Sequence, residues 1–244
     1  MLERATVVVT DGWITGIEAG CGAEALAGWV VPGFVDTHCH GALGAQFGSA
    51  DETSTLKAIR YHREHGSTTM IASTVTAEAE QLAEQVRRLR PHVASGELAG
   101  IHLEGPFLSA SMRGAHDPDL LIDPTPDVLE PVLEAGGPAI AMVTLAPERT
   151  GGLDAVRYLA SRGIVVALGH TAAPPRLTRA AVRSGATVAT HLFNGMPPLH
   201  HREPGPAAVL LTEPGVTVEL IADGTHVDPE MLRLAVACAG ANRI

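Results

Sequence analysis

The stretch "WVVPGFVDTHCHG" (29–41) is apolar as far as Val35 and then places two histidines one residue apart. An apolar run of this kind, with Pro and Gly as its only interruptions, reads as a strand buried on both faces. Residues i and i+2 of a strand share a face, roughly 6.6 Å apart, so His38 and His40 point the same way. Two imidazoles on one face can converge on a single ion or share a polar pocket, and His-x-His alone does not decide between these. Cys39, between them, turns to the opposite face and reads as a packing residue.

The same rhythm recurs along the chain. Apolar runs follow at "TTMIASTV" (68–75), "LAGIHLEG" (98–105), "AIAMVTLAP" (139–147), "GIVVALGHT" (163–171), "ATVATHLFN" (186–194) and "VTVELIAD" (216–223). Helix-patterned segments alternate with them at 51–65, 77–90, 126–135, 152–162, 175–184, about 205–213 and 228–239. The first opens on Asp51 and Thr53 as capping candidates, and several end at a glycine: Gly66, Gly163, Gly185. Apolar strands alternating with helices predict an α/β fold with a parallel sheet covered on both faces. Seven such units are the arithmetic of a TIM-type (β/α)8 barrel short of its last piece. A doubly wound sheet is the alternative, disfavoured because no glycine-rich phosphate turn follows the first strand. Before the barrel, "ATVVVTDGWITGIE" (5–18) predicts a hairpin turning at Asp11-Gly12. The expected division is therefore 1–28, strands of a small β domain, and 29–244, the barrel.

Composition narrows the function. The 244 residues are 45% hydrophobic and 18% charged, which suits a folded core and not disorder. The net charge of −10 argues against nucleic acid, which demands clustered Lys and Arg. No apolar run approaches the ~18 residues of a membrane helix, and "MLERATVVVTDG" lacks the pattern of a secretory signal. Three scattered cysteines, Cys21, Cys39 and Cys238, suit reduced thiols, so a cytoplasmic protein is expected.

A barrel of this type carries its chemistry at the C-terminal ends of the strands. Reading those ends gives His38, His40, Glu104, His170, His191, Asp223 and His226. Glu104, after "IHL", is expensive to bury without a cation or donors. His170 and His191 could each be a satisfied core histidine, but two at successive strand ends facing a Glu favour metal ligation. His102 reads as packing or as support behind the ligands. His62, His65 and His92 fall in helices, and His200 and His201 in a loop.

Four blocks then carry a resemblance: "GIHLEGPFLSASMRGAHDP" (100–118), "ALGHT" (167–171), "THLFNGMPPLHHREPG" (190–205) and "ELIADGTHVDP" (219–229). With the His-x-His they resemble the amidohydrolase superfamily, and within it the N-acetylglucosamine-6-phosphate deacetylases. Many amidohydrolases bridge two metals with a modified lysine. The single lysine here, Lys57, lies in a predicted helix, so the bridge must be acidic and Glu104 supplies it. The resemblance implies one or two divalent ions, Zn or Fe, the main one on Glu104, His170 and His191 and a second on His38 and His40. It implies His226 as donor to the developing oxyanion, and Asn194 and Gly195 as a phosphate cradle. Arg202 would reach the phosphate across a homodimer interface, and His116 would contact a sugar hydroxyl. Gly195 stands where the family usually has Ala, and Ala172 where a polar residue is commoner. The family's acidic catalyst, an Asp one βα unit past His226, has no counterpart before Ile244. The chain is thus expected to be a C-terminally truncated member with open sheet edges. Its activity would be hydrolysis of N-acetylglucosamine 6-phosphate, the alternatives being the galactosamine epimer or an inactive metal- and sugar-phosphate-binding fragment.

Overall fold

The computed structural model describes residues 4–20 and 28–244. Cys21 therefore lies outside the described residues. The chain forms two compact units, Met1–Gly33 and Phe34–Ile244.

In the first unit β1 (Ala5–Thr10) and β2 (Trp13–Ala19) pair antiparallel. The turn is the one the sequence predicts. Asp11 and Gly12 both take positive φ, 51° and 80°, as a two-residue turn matched to strand twist requires.

The second unit is α/β. Its main strands are β3 (Phe34–Cys39), β6 (Ser67–Thr74), β7 (Gly100–Glu104), β8 (Ile140–Leu145), β9 (Val165–Leu168), β10 (Ala186–Ala189) and β11 (Thr217–Val218). A small ribbon, β4 (Gly41–Ala42) and β5 (Ala45–Gln46), follows β3. The seven main strands form one parallel sheet in the order β11-β10-β9-β8-β7-β6-β3, each beside its chain neighbour. Between them run α1 (Glu52–Glu64), α2 (Ala79–Ala94), α3 (Pro126–Gly136), α4 (Gly152–Ser161), α5 (Pro175–Arg183) and α6 (Gly205–Thr212), with α7 (Pro229–Ala239) last. Every helix predicted from pattern is present. Asp51 is the N-cap of α1, accepting from the Thr53 backbone N–H at 3.0 Å, so Thr53 is capped and does not cap. Gly66, Gly163 and Gly185 follow the C-caps of α1, α4 and α5 with positive φ, where a side chain would be strained.

The central strands carry the core. β7 is buried along its whole length, and Ile101, Leu103, Val143, Leu145, Val166 and Leu168 are wholly buried. Toward the edges the strands fall short of the apolar runs. β11 stops at Val218, not Asp223: the Glu219 amide still bonds Ala189 O at 2.9 Å and its carbonyl accepts from the Leu192 amide at 2.8 Å, but from Leu220 on no such bond follows among the described residues. β3 starts at Phe34, not Trp29. Pro32 lacks an N–H for the ladder, and Trp29, Val30 and Val31 are exposed.

A buried glutamate ringed by histidines

The strand ends converge on Glu104, the last residue of β7, buried with its carboxylate split between two sets of imidazoles. Oε1 lies 3.2 Å from His170 Nε2 and 2.9 Å from His191 Nε2, and those two nitrogens are 3.1 Å apart. Oε2 lies 3.0 Å from His40 Nε2 and 3.5 Å from His38 Nε2, again with the nitrogens 3.1 Å apart. His116, on the loop after β7, brings Nε2 to 3.5 Å from Oε2 and turns Nδ1 to Thr76 Oγ1 at 2.8 Å. His116, expected against a sugar hydroxyl, thus stands in the ring itself.

The backbone is bent to achieve this. His170 and His191, just past β9 and β10, take positive φ of 46° and 26°. That region is disfavoured for a side-chain-bearing residue, and strain of this kind collects at functional sites. Gly195 has φ of 61°, and a Cβ there would meet His170 Nδ1 at 2.8 Å. Gly195 is therefore fitted to the His170 ring.

Hydrogen bonds fix which nitrogens face inward. His170 Nδ1–H donates to Met112 O at 2.8 Å, so Nε2 is the nitrogen turned toward Glu104 and, in the neutral ring, the one with the lone pair. His38 Nδ1–H donates to Glu219 at 3.2 Å, with the same result on β3. Four imidazole Nε2 atoms crowd the two oxygens of one carboxylate within 3.5 Å, and within each pair the nitrogens are only 3.1 Å apart. This donor set fits a divalent cation on each side of Glu104. Burial by itself would push the Glu104 pKa up. The bonds from His116, His170, His191 and His38 outweigh it and hold the group far below the carboxylate range. Burial works the other way on His38, disfavouring its charged form, but with no cation between them Glu104 and Glu219 raise it to about 10; a cation on Nε2 would displace that proton.

Behind the ring lies a buried polar chain. Ser73 Oγ accepts the Cys39 amide at 3.1 Å and meets His102 Nδ1 at 2.9 Å. His102 Nε2 reaches Thr144 Oγ1 at 2.8 Å, and Thr144 reaches Thr190 Oγ1 at 2.7 Å. Burial pushes the His102 pKa well down, so the ring is neutral. It ties β3, β6, β7 and β8 to the residue before His191. The Cys39 sulfur faces away, toward His62 Nε2 at 3.0 Å and Gly41 O at 3.6 Å, as strand alternation predicts. Glu148 was not singled out from sequence. It accepts from the Thr171 hydroxyl at 2.5 Å and the Ala172 amide at 2.6 Å, steadying the loop after His170 through a backbone N–H that any residue at 172 supplies.

The remaining expected residues are not drawn into the ring. His226 is exposed and paired with Asp223 through Nδ1 at 2.6 Å. The amides of His226 and Thr225 and then the His226 ring hold the Asp223 pKa down to about 2. Asn194 Nδ2 donates to His191 O at 3.4 Å, and Gly195 O accepts from the Thr171 amide at 3.0 Å. Arg202 is exposed and reaches the neighbouring His201 at 2.9 Å.

Residues 29–244 match the sequence model of the amidohydrolase family. The chain belongs to that family. It is 37% identical over 216 residues to an N-acetylglucosamine-6-phosphate deacetylase of Vibrio furnissii, covering 87% of this chain and 54% of the relative. An N-acetylgalactosamine-6-phosphate deacetylase of Escherichia coli O157:H7 is 34% identical over 245 residues, covering 98% and 65%. Among solved structures, a mutant N-acetyl-D-glucosamine-6-phosphate deacetylase from Mycobacterium smegmatis, in complex with N-acetyl-D-glucosamine-6-phosphate, superposes with a TM-score of 0.90. It is 48% identical and covers 94% of this chain and 62% of that one. This amidohydrolase chain thus spans about half to two-thirds of the length of its relatives.

Proposed function

We propose that the chain carries the metal centre of a deacetylase acting on N-acetylglucosamine 6-phosphate, releasing acetate and glucosamine 6-phosphate. The observation that carries the reading is the split carboxylate of Glu104, one oxygen on each histidine pair. One or two divalent ions, Zn or Fe, would be held there: the main one by Glu104, His170 and His191, the second by Glu104, His38 and His40. When bound, such an ion supplies Lewis-acid activation of water and of the amide carbonyl. The chain's own residues do the rest. His170 and His38 are fixed in one tautomer by Met112 O and Glu219. His226, steadied by Asp223, would donate to the oxyanion that forms at the acetyl carbon. Asn194 and Gly195 would cradle the phosphate, and His116 would meet the sugar.

Arg202 would complete the phosphate site of a second copy in a homodimer, since its planar fork suits that anion and it has no acidic partner in its own chain among the described residues. The parallel sheet would be the larger part of a (β/α)8 barrel, and the β1–β2 hairpin part of a small β domain. The setting would be cytoplasmic amino-sugar breakdown.

The test is acetate release by the metal-loaded protein from N-acetylglucosamine 6-phosphate. A second arm carries the βα unit that follows in the relatives, with its Asp. Release that depends on Glu104 supports the reading; none in either arm sets it aside. The galactosamine epimer, named by the Escherichia coli relative, is run in parallel, and a clear preference for it would move the assignment to that sugar.

A further inference from the structure

We propose that Glu219 is the positioning residue of the second cation site, holding His38 for it. The inference rests on the reading of Glu104 and its histidines as metal ligands.

Glu219 follows β11, one edge of the sheet, and its side chain reaches β3, the other edge. Oε1 accepts from the Thr37 hydroxyl at 2.7 Å, and Oε2 accepts from His38 Nδ1–H at 3.2 Å. The sheet therefore curls far enough for a side chain from its last strand to touch its first. Both carboxylate oxygens are engaged, and the group is 13% exposed. A carboxyl group in an otherwise apolar run is costly to hold there without a task.

Its effect on His38 is specific. With Nδ1–H committed to Glu219, Nε2 is the nitrogen turned toward His40 Nε2 and Glu104 Oε2, and the one that a cation there would take. A carboxylate on the outer nitrogen fixes ring orientation and makes the inner nitrogen a stronger ligand. The two sides of Glu104 are braced separately: His170 uses the Met112 carbonyl, His38 uses Glu219. Within the second pair His38 alone is braced, since His40 Nδ1 is buried with no partner. Loading of the second site therefore hangs on Glu219, while loading of the first does not touch it.

The experiment is equilibrium dialysis of the metal-stripped protein against Zn²⁺, with elemental analysis, for the wild type, Glu219→Ala and Glu219→Gln. Unfolding of the metal-free forms is followed alongside. The wild type is expected to hold two equivalents. Glu219→Ala should keep the first and weaken the second roughly 10–100-fold. Glu219→Gln, which retains an acceptor for His38 Nδ1–H, should recover much of it. One equivalent in the wild type, or a Glu219→Ala protein that loads both ions normally, overturns the inference and leaves the main site standing. Equal loss of both ions, with a matching fall in the stability of the metal-free protein, also overturns it and makes Glu219 a clasp between sheet edges. No zinc on the wild type overturns the metal centre and this inference together.

Discussion

The ring around Glu104 and the arc from Asn194 to His226 are built by opposite means. In the ring, five imidazoles stand on strand ends or on a loop bonded back to them, within 3.5 Å of one carboxylate. In the arc, the side chains of Arg202 and His226 are exposed and, among the described residues, bond only His201 and Asp223 close by in the chain. A parallel sheet fixes its strand ends to within its hydrogen-bond register, so groups placed there are preorganised. Loop groups take their final positions from what they bind. The ring should therefore be intolerant of single changes in its metal content, and the arc tolerant.

The sharpest way to break that contrast is Glu104→Gln. It removes the one charge shared by both sides, so both ions should be lost, an effect beyond the roughly 10–100-fold that loss of an outer partner causes. Elemental analysis after dialysis reads it, and retained metal would show that Glu104 is not the bridge. Next come the two sides separately. His191→Ala should empty the main site and His38→Ala only the second. Identical metal content in the two variants would mean the carboxylate is not divided as its distances indicate.

In the arc, Arg202→Ala, made in the form extended by the βα unit that carries the Asp, should leave metal content untouched and raise KM for the phosphorylated sugar about 10–150-fold, the loss of a contact of roughly 1.5–3 kcal/mol. Unphosphorylated N-acetylglucosamine is the control. An equal change for both sugars would take Arg202 away from the phosphate.

Gly195 joins the two regions. Gly195→Ala puts a Cβ at positive φ against the His170 ring and should cost roughly 1–2 kcal/mol, or about 2–4 °C in Tm per kcal/mol for a chain of this size. An unchanged Tm would mean the His170 side of the ring yields as easily as a loop. The mildest test is chemical. Burial pushes the Cys39 thiol up to about 11, so at pH 8 it is the neutral, unreactive form, and reactivity should appear only as pH rises toward that value. Iodoacetamide at pH 8 should therefore label exposed Cys238 and spare Cys39, as peptide mass analysis would show.

What the sequence determined by itself is what periodicity and burial cost encode. Alternation in "FVDTHCH" puts His38 and His40 on one face and Cys39 on the other, and the structure keeps that division. A glutamate after "IHL" is too costly to bury idle, which singled out Glu104 before any contact was visible. The same reasoning applies to Glu219, between Val218 and Leu220, yet its strand was read only for the polar groups at its far end. Its partner could not have been read at all. Glu219 and His38 are 181 positions apart and meet only because seven twisted strands curl the sheet until its edges approach. His116 entering the ring, Met112 O fixing His170, and His102 tying four strands together depend likewise on a loop crossing or on register between strands. Local pattern chooses which residues a strand offers to the site. Only the tertiary fold decides which nitrogen of each ring is left bare, because that is set by whatever the other nitrogen meets across the sheet.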